Sequence, residues 1–142
     1  MKKFFILVVF LAGFYACHHE YRYGYLKTDN IEYYPDSLEV VANTNCNDMI
    51  HTKYGVPWAS VPIQGVAGTP PIFFSIKSIS SENGEGEKMK KYLKIRGDGV
   101  FYLYPFDTYN DIPVGEYRIS IIIENDNDRR EFDNVFKIIV KQ

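Results

Sequence analysis

From Glu116 to Glu124 the chain alternates with a period of two: Tyr117, Ile119, Ile121 and Ile123 on one side, Arg118, Ser120, Ile122 and Glu124 on the other. Such alternation is the mark of a β-strand with one face buried and one face wet. It constrains the fold more than any other feature, because a strand of this kind needs neighbours and a second layer to cover it. The polar run Asn125–Arg130 reads as a turn, and Phe132–Val140 returns as a second long strand.

The rest of the chain has the same character, with short β-like runs parted by turn residues. Tyr25–Glu32 reads as a first strand. Tyr34-Pro35-Asp36-Ser37 is a turn, with Pro presetting one backbone angle and Asp and Ser able to bond back to the chain. Leu38–Ala42 is the next strand, and Asn43–Asp48 is loop. Trp58–Val66 reads as a strand interrupted by Pro62, which assigns it to a sheet edge. In Ile72–Ile79, strict alternation sets Phe74, Ile76 and Ser78 on one face and Phe73, Ser75, Lys77 and Ile79 on the other. Ser80–Lys90 is a charged loop, with one helical turn near Lys88–Tyr92. Tyr92–Arg96 and Val100–Tyr104 form a hairpin about Gly97-Asp98-Gly99, since Asp-Gly is a strong hairpin signal. No apolar segment of helical period follows residue 17, so the expected fold is all-β, with antiparallel sheets packed face to face.

The N-terminus has a different role. Met1-Lys2-Lys3 is followed by Phe4–Ala12 without a polar residue, then by Phe14-Tyr15-Ala16-Cys17. A positive start and a short apolar run make a signal peptide, too short to span a bilayer, which needs about 20 apolar residues. The sequence ending in Ala16-Cys17 resembles a lipobox, which implies acylation of Cys17 and cleavage before it. Phe14 and Tyr15 depart from the strict form of that motif. The expected organisation is a signal peptide over 1–16, a lipid-anchored tether over 17–24 and one domain over 25–142. Two or more acyl chains on Cys17 would hold the protein firmly, because each buried methylene contributes about 0.8 kcal/mol. The membrane is thus one expected partner, reached through the lipid on Cys17. Glu20 alone does not decide which membrane face the domain occupies.

Charge and chemistry exclude several classes. The net charge of −2 falls to about −4 once Lys2 and Lys3 are removed, which gives no support for nucleic-acid binding. With Cys17 lipidated, Cys46 has no cysteine left to pair with, so the chain is not a disulfide scaffold. His51 is the one base near Cys46 in sequence, which is too little for a nucleophile pair. His18 and His19 are read as solvated tether rather than as a metal site. No nucleophile elbow, His-Glu-x-x-His or phosphate loop occurs. The expectation is a protein that is not an enzyme, with no cofactor and no metal.

Gly65-Val66-Ala67-Gly68-Thr69-Pro70-Pro71-Ile72-Phe73-Phe74-Ser75-Ile76 resembles the G-x-x-P-x-x-Y/F-S-I opening of bacterial Ig-like and cadherin-like repeats, and Asp98-Gly99-Val100-Phe101 with Leu103 resembles their middle G-x-I/V-x-L strand. Asp111-Ile112-Pro113-Val114-Gly115-Glu116-Tyr117-Arg118-Ile119 resembles the L-P-x-G-x-Y-x-L approach to the penultimate strand. Phe136–Val140 matches the closing F-x-I-x-V strand. The resemblance covers Trp58–Lys141 and implies a β-sandwich. Together with Tyr25-Leu26-Lys27-Thr28-Asp29 and Tyr34-Pro35-Asp36-Ser37-Leu38, the whole chain is similar to small lipoproteins of gut Bacteroidetes encoded with outer-membrane glycan-uptake machinery. That similarity implies an accessory role in the cell envelope, at the outer membrane, with polysaccharide or outer-membrane proteins as partners. Cadherin-like calcium sites have only Glu124–Asp128 as a counterpart. That segment is read as a solvated turn, with calcium near Asp126 and Asp128 as the alternative.

The candidate ligand-binding residues are aromatic. In Phe101–Phe106 the period of two puts Phe101 and Leu103 on one face and Tyr102 and Tyr104 on the other. With Phe101 and Leu103 inward, Tyr102 and Tyr104 line the outer face, and Tyr109 lies just beyond. Trp58, Tyr102, Tyr104 and Tyr109 are the residues expected to stack on sugar rings. The alternative is an Ig-like interaction module with no small-molecule ligand, its tyrosines packed along the sheet surface. Arg96-Gly97-Asp98 resembles an integrin-binding tripeptide and is read as a turn.

Overall fold

The computed structural model describes residues 24–41, 49–106 and 111–141. The long alternating segment forms β8 (Gly115–Glu124), and its partner forms β9 (Arg129–Lys141). Before them come β1 (Leu26–Lys27), β2 (Ser37–Val41), α1 (Met49–Tyr54), β3 (Trp58–Ala59), β4 (Ala67–Gly68), β5 (Phe73–Ser81), α2 (Gly86–Lys90), β6 (Leu93–Arg96) and β7 (Val100–Leu103). Among the described residues strands dominate and both helices are short, so the fold is all-β. The strands order as β2-β9-β8-β5, β3-β7-β6 and a two-stranded pair β1-β4.

The inward side of β8 is as the alternation predicts. Tyr117, Ile119, Ile121 and Ile123 are completely buried, together with Phe136, Ile138 and Val140 of β9 and Val40 of β2. From the three-stranded sheet, Leu93, Phe101 and Leu103 join the same cluster. Phe101 stacks on Phe136 with ring centroids 5.1 Å apart, and Tyr33 packs against both, at 5.3 and 5.0 Å. One apolar core is thus shared by the two larger sheets, as a one-sided strand pattern demands.

Two departures from the expected pattern concern pairing. β2 runs parallel to β9, from Ser37 opposite Lys137 to Val41 opposite Lys141, so the four-stranded sheet is mixed rather than antiparallel. The Asp36 carbonyl starts this ladder by accepting from the Lys137 amide at 3.0 Å. In β5 the register steps by one between Ile76, opposite Ile121, and Ser78, opposite Ser120. Lys77 is the extra residue of this bulge. The step reverses the alternation, so Ile79 is buried on the side of Phe74 and Ile76, not with Phe73 and Ser75.

A second irregularity lies at the same level of β9. Ile119 faces Phe136 and Ile121 faces Phe132, so β9 carries two more residues than β8 over this stretch. Asn134 has φ 54° there, and its amide donates to the Ser120 Oγ at 3.1 Å. The small Ser120 lies between the two bulges. Lys77 reaches past it to Glu131 and Asp133, both at 3.0 Å.

The remaining expectations are met in part. The expected first strand is reduced to β1 and a single bridge between Glu32 and Gln64. Trp58–Val66 gives only the two-residue β3, at the edge of its sheet. Beyond it the Ser60 amide donates to the Phe101 carbonyl at 2.9 Å, and the Ser60 Oγ accepts from the Phe101 amide at 2.9 Å. Pro62, which lacks an N–H, lies outside any strand. The helical turn after Ser80 lies at Gly86–Lys90, and it buries Met89. Gly86 is required there, because a Cβ would run into the Ile79 carbonyl. The helix α1 has no counterpart in the sequence reading.

Tyr117, at the start of β8, has a bond that shapes the loop before it. Its hydroxyl donates to the Pro113 carbonyl at 2.8 Å, four residues upstream. Ile112, in the same loop, is also fully buried.

Candidate functional site

The β6–β7 hairpin builds the candidate face. Gly97 and Gly99 have φ of +55° and +75°, and this left-handed backbone closes the turn after Arg96 and returns the chain at Val100. Phe101 and Leu103 point into the core and are completely buried. Tyr102 and Tyr104 therefore point away from it, and both are half-buried. The Tyr104 amide donates to the Tyr92 carbonyl at 2.8 Å, which carries the ladder one step beyond β7.

Cross-strand partners share a face, so the register names the neighbours of Tyr102. They are Lys94 on β6 and Ala59 on β3. The Lys94 Nζ lies 5.4 Å from the centre of the Tyr104 ring, a cation–π distance. Arg96, opposite Val100, continues the same face and is exposed. Lys94 was not singled out from the sequence, and Arg96 was read only as part of the turn tripeptide Arg96-Gly97-Asp98. The alternation Leu93-Lys94-Ile95-Arg96 carried the signal for them.

Trp58 does not belong to this face. It pairs with Leu103, so its indole lies on the inner side of the sheet, at its rim. The His51 ring stacks on it at 4.3 Å with an interplanar angle of 17°, and Phe106 lies 6.1 Å away. His51 is itself fixed by the Val56 carbonyl, 2.6 Å from Nδ1; a carbonyl only accepts, so Nδ1 carries the proton. The ring on Trp58 thus occupies one of the surfaces a sugar would use. Of the three aromatic candidates among the described residues, Tyr102 and Tyr104 are brought together and Trp58 is not. Tyr109 lies outside the described residues, as do Cys17, Cys46 and the whole of 1–23.

Ion pairing divides the surface unequally. On the four-stranded sheet and its turns, the cations have carboxylate partners. Arg118 pairs with Glu116, Arg129 with Glu131, Arg130 with Asp128, Lys137 with Asp36 and Lys141 with Glu39. Lys90, Lys91, Lys94 and Arg96 have no such partner among the described residues. The outward strand positions around Tyr102, namely Ala59, Lys94, Arg96 and Val100, include no carboxylate.

The segment Glu124–Asp128, read as a solvated turn with calcium as the alternative, is organised by its own side chains. The Asn125 Oδ1 accepts from the amides of Asn127 and Asp128, at 3.1 and 2.9 Å. The Asp128 carboxylate accepts from Arg130, at 2.8 and 3.0 Å, and from the Arg129 amide at 2.8 Å. The Arg130 bond is the main reason its pKa lies below the ordinary carboxylate value. Among the described residues no group of three or more His, Cys, Asp or Glu side chains is arranged to hold a metal ion. Arg96, Gly97 and Asp98 are all exposed at the hairpin tip, where the Asp98 carbonyl accepts from the Ile63 amide at 3.1 Å.

Two open grooves flank the domain. One, of about 840 Å³, runs between the segment Ile31–Asp36 and the bulged part of β9, Phe132–Val135. Tyr34 stands on its rim, 82% exposed. The other, of about 460 Å³, lies beside the hairpin tip, between Ile63, Phe74 and Asp98. No helix among the described residues is long and apolar enough to cross a membrane. No protein family, curated protein or solved structure matches the chain.

Proposed function

We propose that this protein is a lipid-anchored component of the cell envelope, built on an Ig-like β-sandwich, that works by binding rather than by catalysis. Its role is that of an accessory glycan-binding protein of an outer-membrane uptake system. The observation that carries the reading is the pair Tyr102 and Tyr104, half-exposed on one sheet face with Lys94 over the Tyr104 ring. Two phenol rings on a rigid sheet offer apolar faces to sugar rings, while their hydroxyls remain free to bond.

Two features support the sandwich. The order β3-β7-β6, set against β9-β8-β5, corresponds to strands B-E-D and G-F-C of the Ig fold; β2 takes the place of a first strand parallel to the last. Tyr117, with its hydroxyl on the Pro113 carbonyl, has the position and bond of the tyrosine corner at the start of strand F. The anchor rests on the signal-like segment Met1–Ala16 and on Cys17.

The test is retention of the purified chain on a panel of polysaccharide affinity gels. The wild type is expected to be retarded by at least one glycan. Tyr102→Ala with Tyr104→Ala should abolish that retardation and leave the melting temperature within a few degrees. If no polysaccharide retards the wild type, the glycan role is wrong.

A second reading has its own observation. The groove beside Tyr34, lined by Ile31, Phe132 and Val135, exposes aromatic and aliphatic surface of the kind a protein partner covers. On that reading the domain is an interaction module. A co-purifying envelope protein lost on Tyr34→Ala, with no glycan retention, would favour it.

A further inference from the structure

We infer that the outer face of the β3-β7-β6 sheet is a site for acidic polysaccharide, in which Lys94 and Arg96 take up carboxylate or sulfate groups while Tyr102 and Tyr104 stack on the sugar rings. The inference rests on the glycan reading above and names the class of glycan. It starts from a contrast within one molecule. The protein is net acidic, yet four of its cations, Lys90, Lys91, Lys94 and Arg96, fall within seven residues of sequence and have no carboxylate partner among the described residues. Elsewhere most cations are neutralised in place, as with Lys77 between Glu131 and Asp133.

Pairing on the other sheet removes its cations as free anchors for an anion. The unpaired set is left as the concentrated source of positive potential. Geometry puts that potential beside the aromatic pair. Lys94 is the direct cross-strand neighbour of Tyr102 and lies over the Tyr104 ring, and Arg96 follows two residues along the same face. Period-two spacing separates Lys94 from Arg96, and Tyr102 from Tyr104, by about 7 Å. Two cations and two rings thus form a patch in which charge and stacking surface alternate. The Arg96 guanidinium is suited to a bidentate grip on a planar carboxylate, and the Lys94 ammonium to a point contact. Neutral glycans would use the rings alone and leave both cations unused.

The experiment is affinity electrophoresis of the full chain through gels containing polygalacturonate, dextran sulfate or neutral dextran. Parallel flotation uses vesicles of phosphatidylglycerol and the unacylated Cys17→Ser chain. Retardation by polygalacturonate or dextran sulfate, but not by neutral dextran, is expected, and it should weaken as salt rises. Lys94→Gln with Arg96→Gln should weaken binding by at least about tenfold, and Tyr102→Ala with Tyr104→Ala by about tenfold. Lys137→Gln, a paired cation on the other sheet, should change binding by less than about twofold. Circular dichroism checks that each variant folds; if the double Tyr→Ala variant does not, Tyr102→Ser alone replaces it.

Retardation by neutral dextran equal to that by the acidic polymers would overturn the acidic preference and keep the glycan reading. Retardation by none of the polymers would overturn both. Acidic retardation insensitive to the Gln variants would assign the site elsewhere. Loss on the Gln variants but not on the Tyr variants would reduce the effect to ion exchange. Flotation with the vesicles in the absence of polymer binding would make the face a lipid contact. Each of these outcomes overturns the inference.

Discussion

The Tyr33 hydroxyl donates a 2.6 Å hydrogen bond to the Gly99 carbonyl, a residue 66 positions further along the chain. The ring beneath it fills the gap between Phe101 and Phe136. One buried side chain therefore ties the segment before β2 to the hairpin turn that ends in β7, and so to the strand that carries Tyr102.

Removing that hydroxyl tests the tie. Tyr33→Phe keeps the ring packing and strands a buried carbonyl, so it is expected to cost about 1–3 kcal/mol. Urea unfolding should show a lower midpoint with an unchanged slope. The same residue sets an alkaline limit. Burial raises its pKa above the ordinary value of 10.0, so the unfolded chain releases this proton first as pH rises. Stability should be undiminished by this group below pH 10.0 and fall above it, and Tyr33→Phe should flatten that fall.

The two turn glycines should respond differently. A Cβ on Gly97 meets nothing within 4 Å, so Gly97→Ala pays chiefly for its φ of +55°, about 1–2 kcal/mol. A Cβ on Gly99 would lie 2.6 Å from the Ile63 Cγ2 and 3.3 Å from the Phe74 ring, at a φ of +75°. Gly99→Ala is expected to cost about 2–5 kcal/mol, the sum of backbone and overpacking costs. Equal melting temperatures for the two variants would contradict this packing.

The acid limb of stability has named contributors. Glu131 is held below its ordinary pKa of 4.5 chiefly by its hydrogen bond with Lys77, and Asp128 below 3.8 chiefly by its bond with Arg130. In both cases the unfolded chain takes up the proton first as pH falls. Their contribution is therefore complete above about pH 4.5 and is lost below it. Lys77→Met should shrink the acid-induced drop, and so should 1 M salt, since these pairs lie at the surface. Thermal unfolding between pH 2 and 6 checks both.

Export and anchoring have a direct assay. The wild type expressed in its native envelope should fractionate with membranes and be released by detergent. Cys17→Ser should move it to the soluble fraction with its β-sheet circular dichroism intact. Retention of the variant in the membrane fraction would remove the lipid anchor from the proposal.

Local pattern carried much of the fold. The alternation of Tyr117, Ile119, Ile121 and Ile123 identified the core face of β8, and Gly97-Asp98-Gly99 identified the hairpin, because both signals are complete within a few residues. What local pattern lacked was pairing. The bulge at Lys77 that turns Ile79 inward exists to match β8, so nothing in Ile72–Ile79 alone announces it. The parallel pairing of β2 joins residues 100 apart, Ser37 with Lys137, and leaves no trace in either segment. The candidate site divides in the same way. Tyr102 and Tyr104 were legible as an outward pair, whereas the placement of Trp58 opposite Leu103, and under His51, depends on which strand β3 meets.

The parallel ladder of β2 and β9 also has a mechanical consequence. Tension applied between the N-terminal side of Ser37 and the C-terminal side of Lys141 pulls the two strands in opposite directions along their shared axis. All five residue pairs from Ser37–Lys137 to Val41–Lys141 are then loaded together, in shear, instead of opening one at a time. A domain tethered at its front and tugged at its back would resist as a clasp does, not as a zipper.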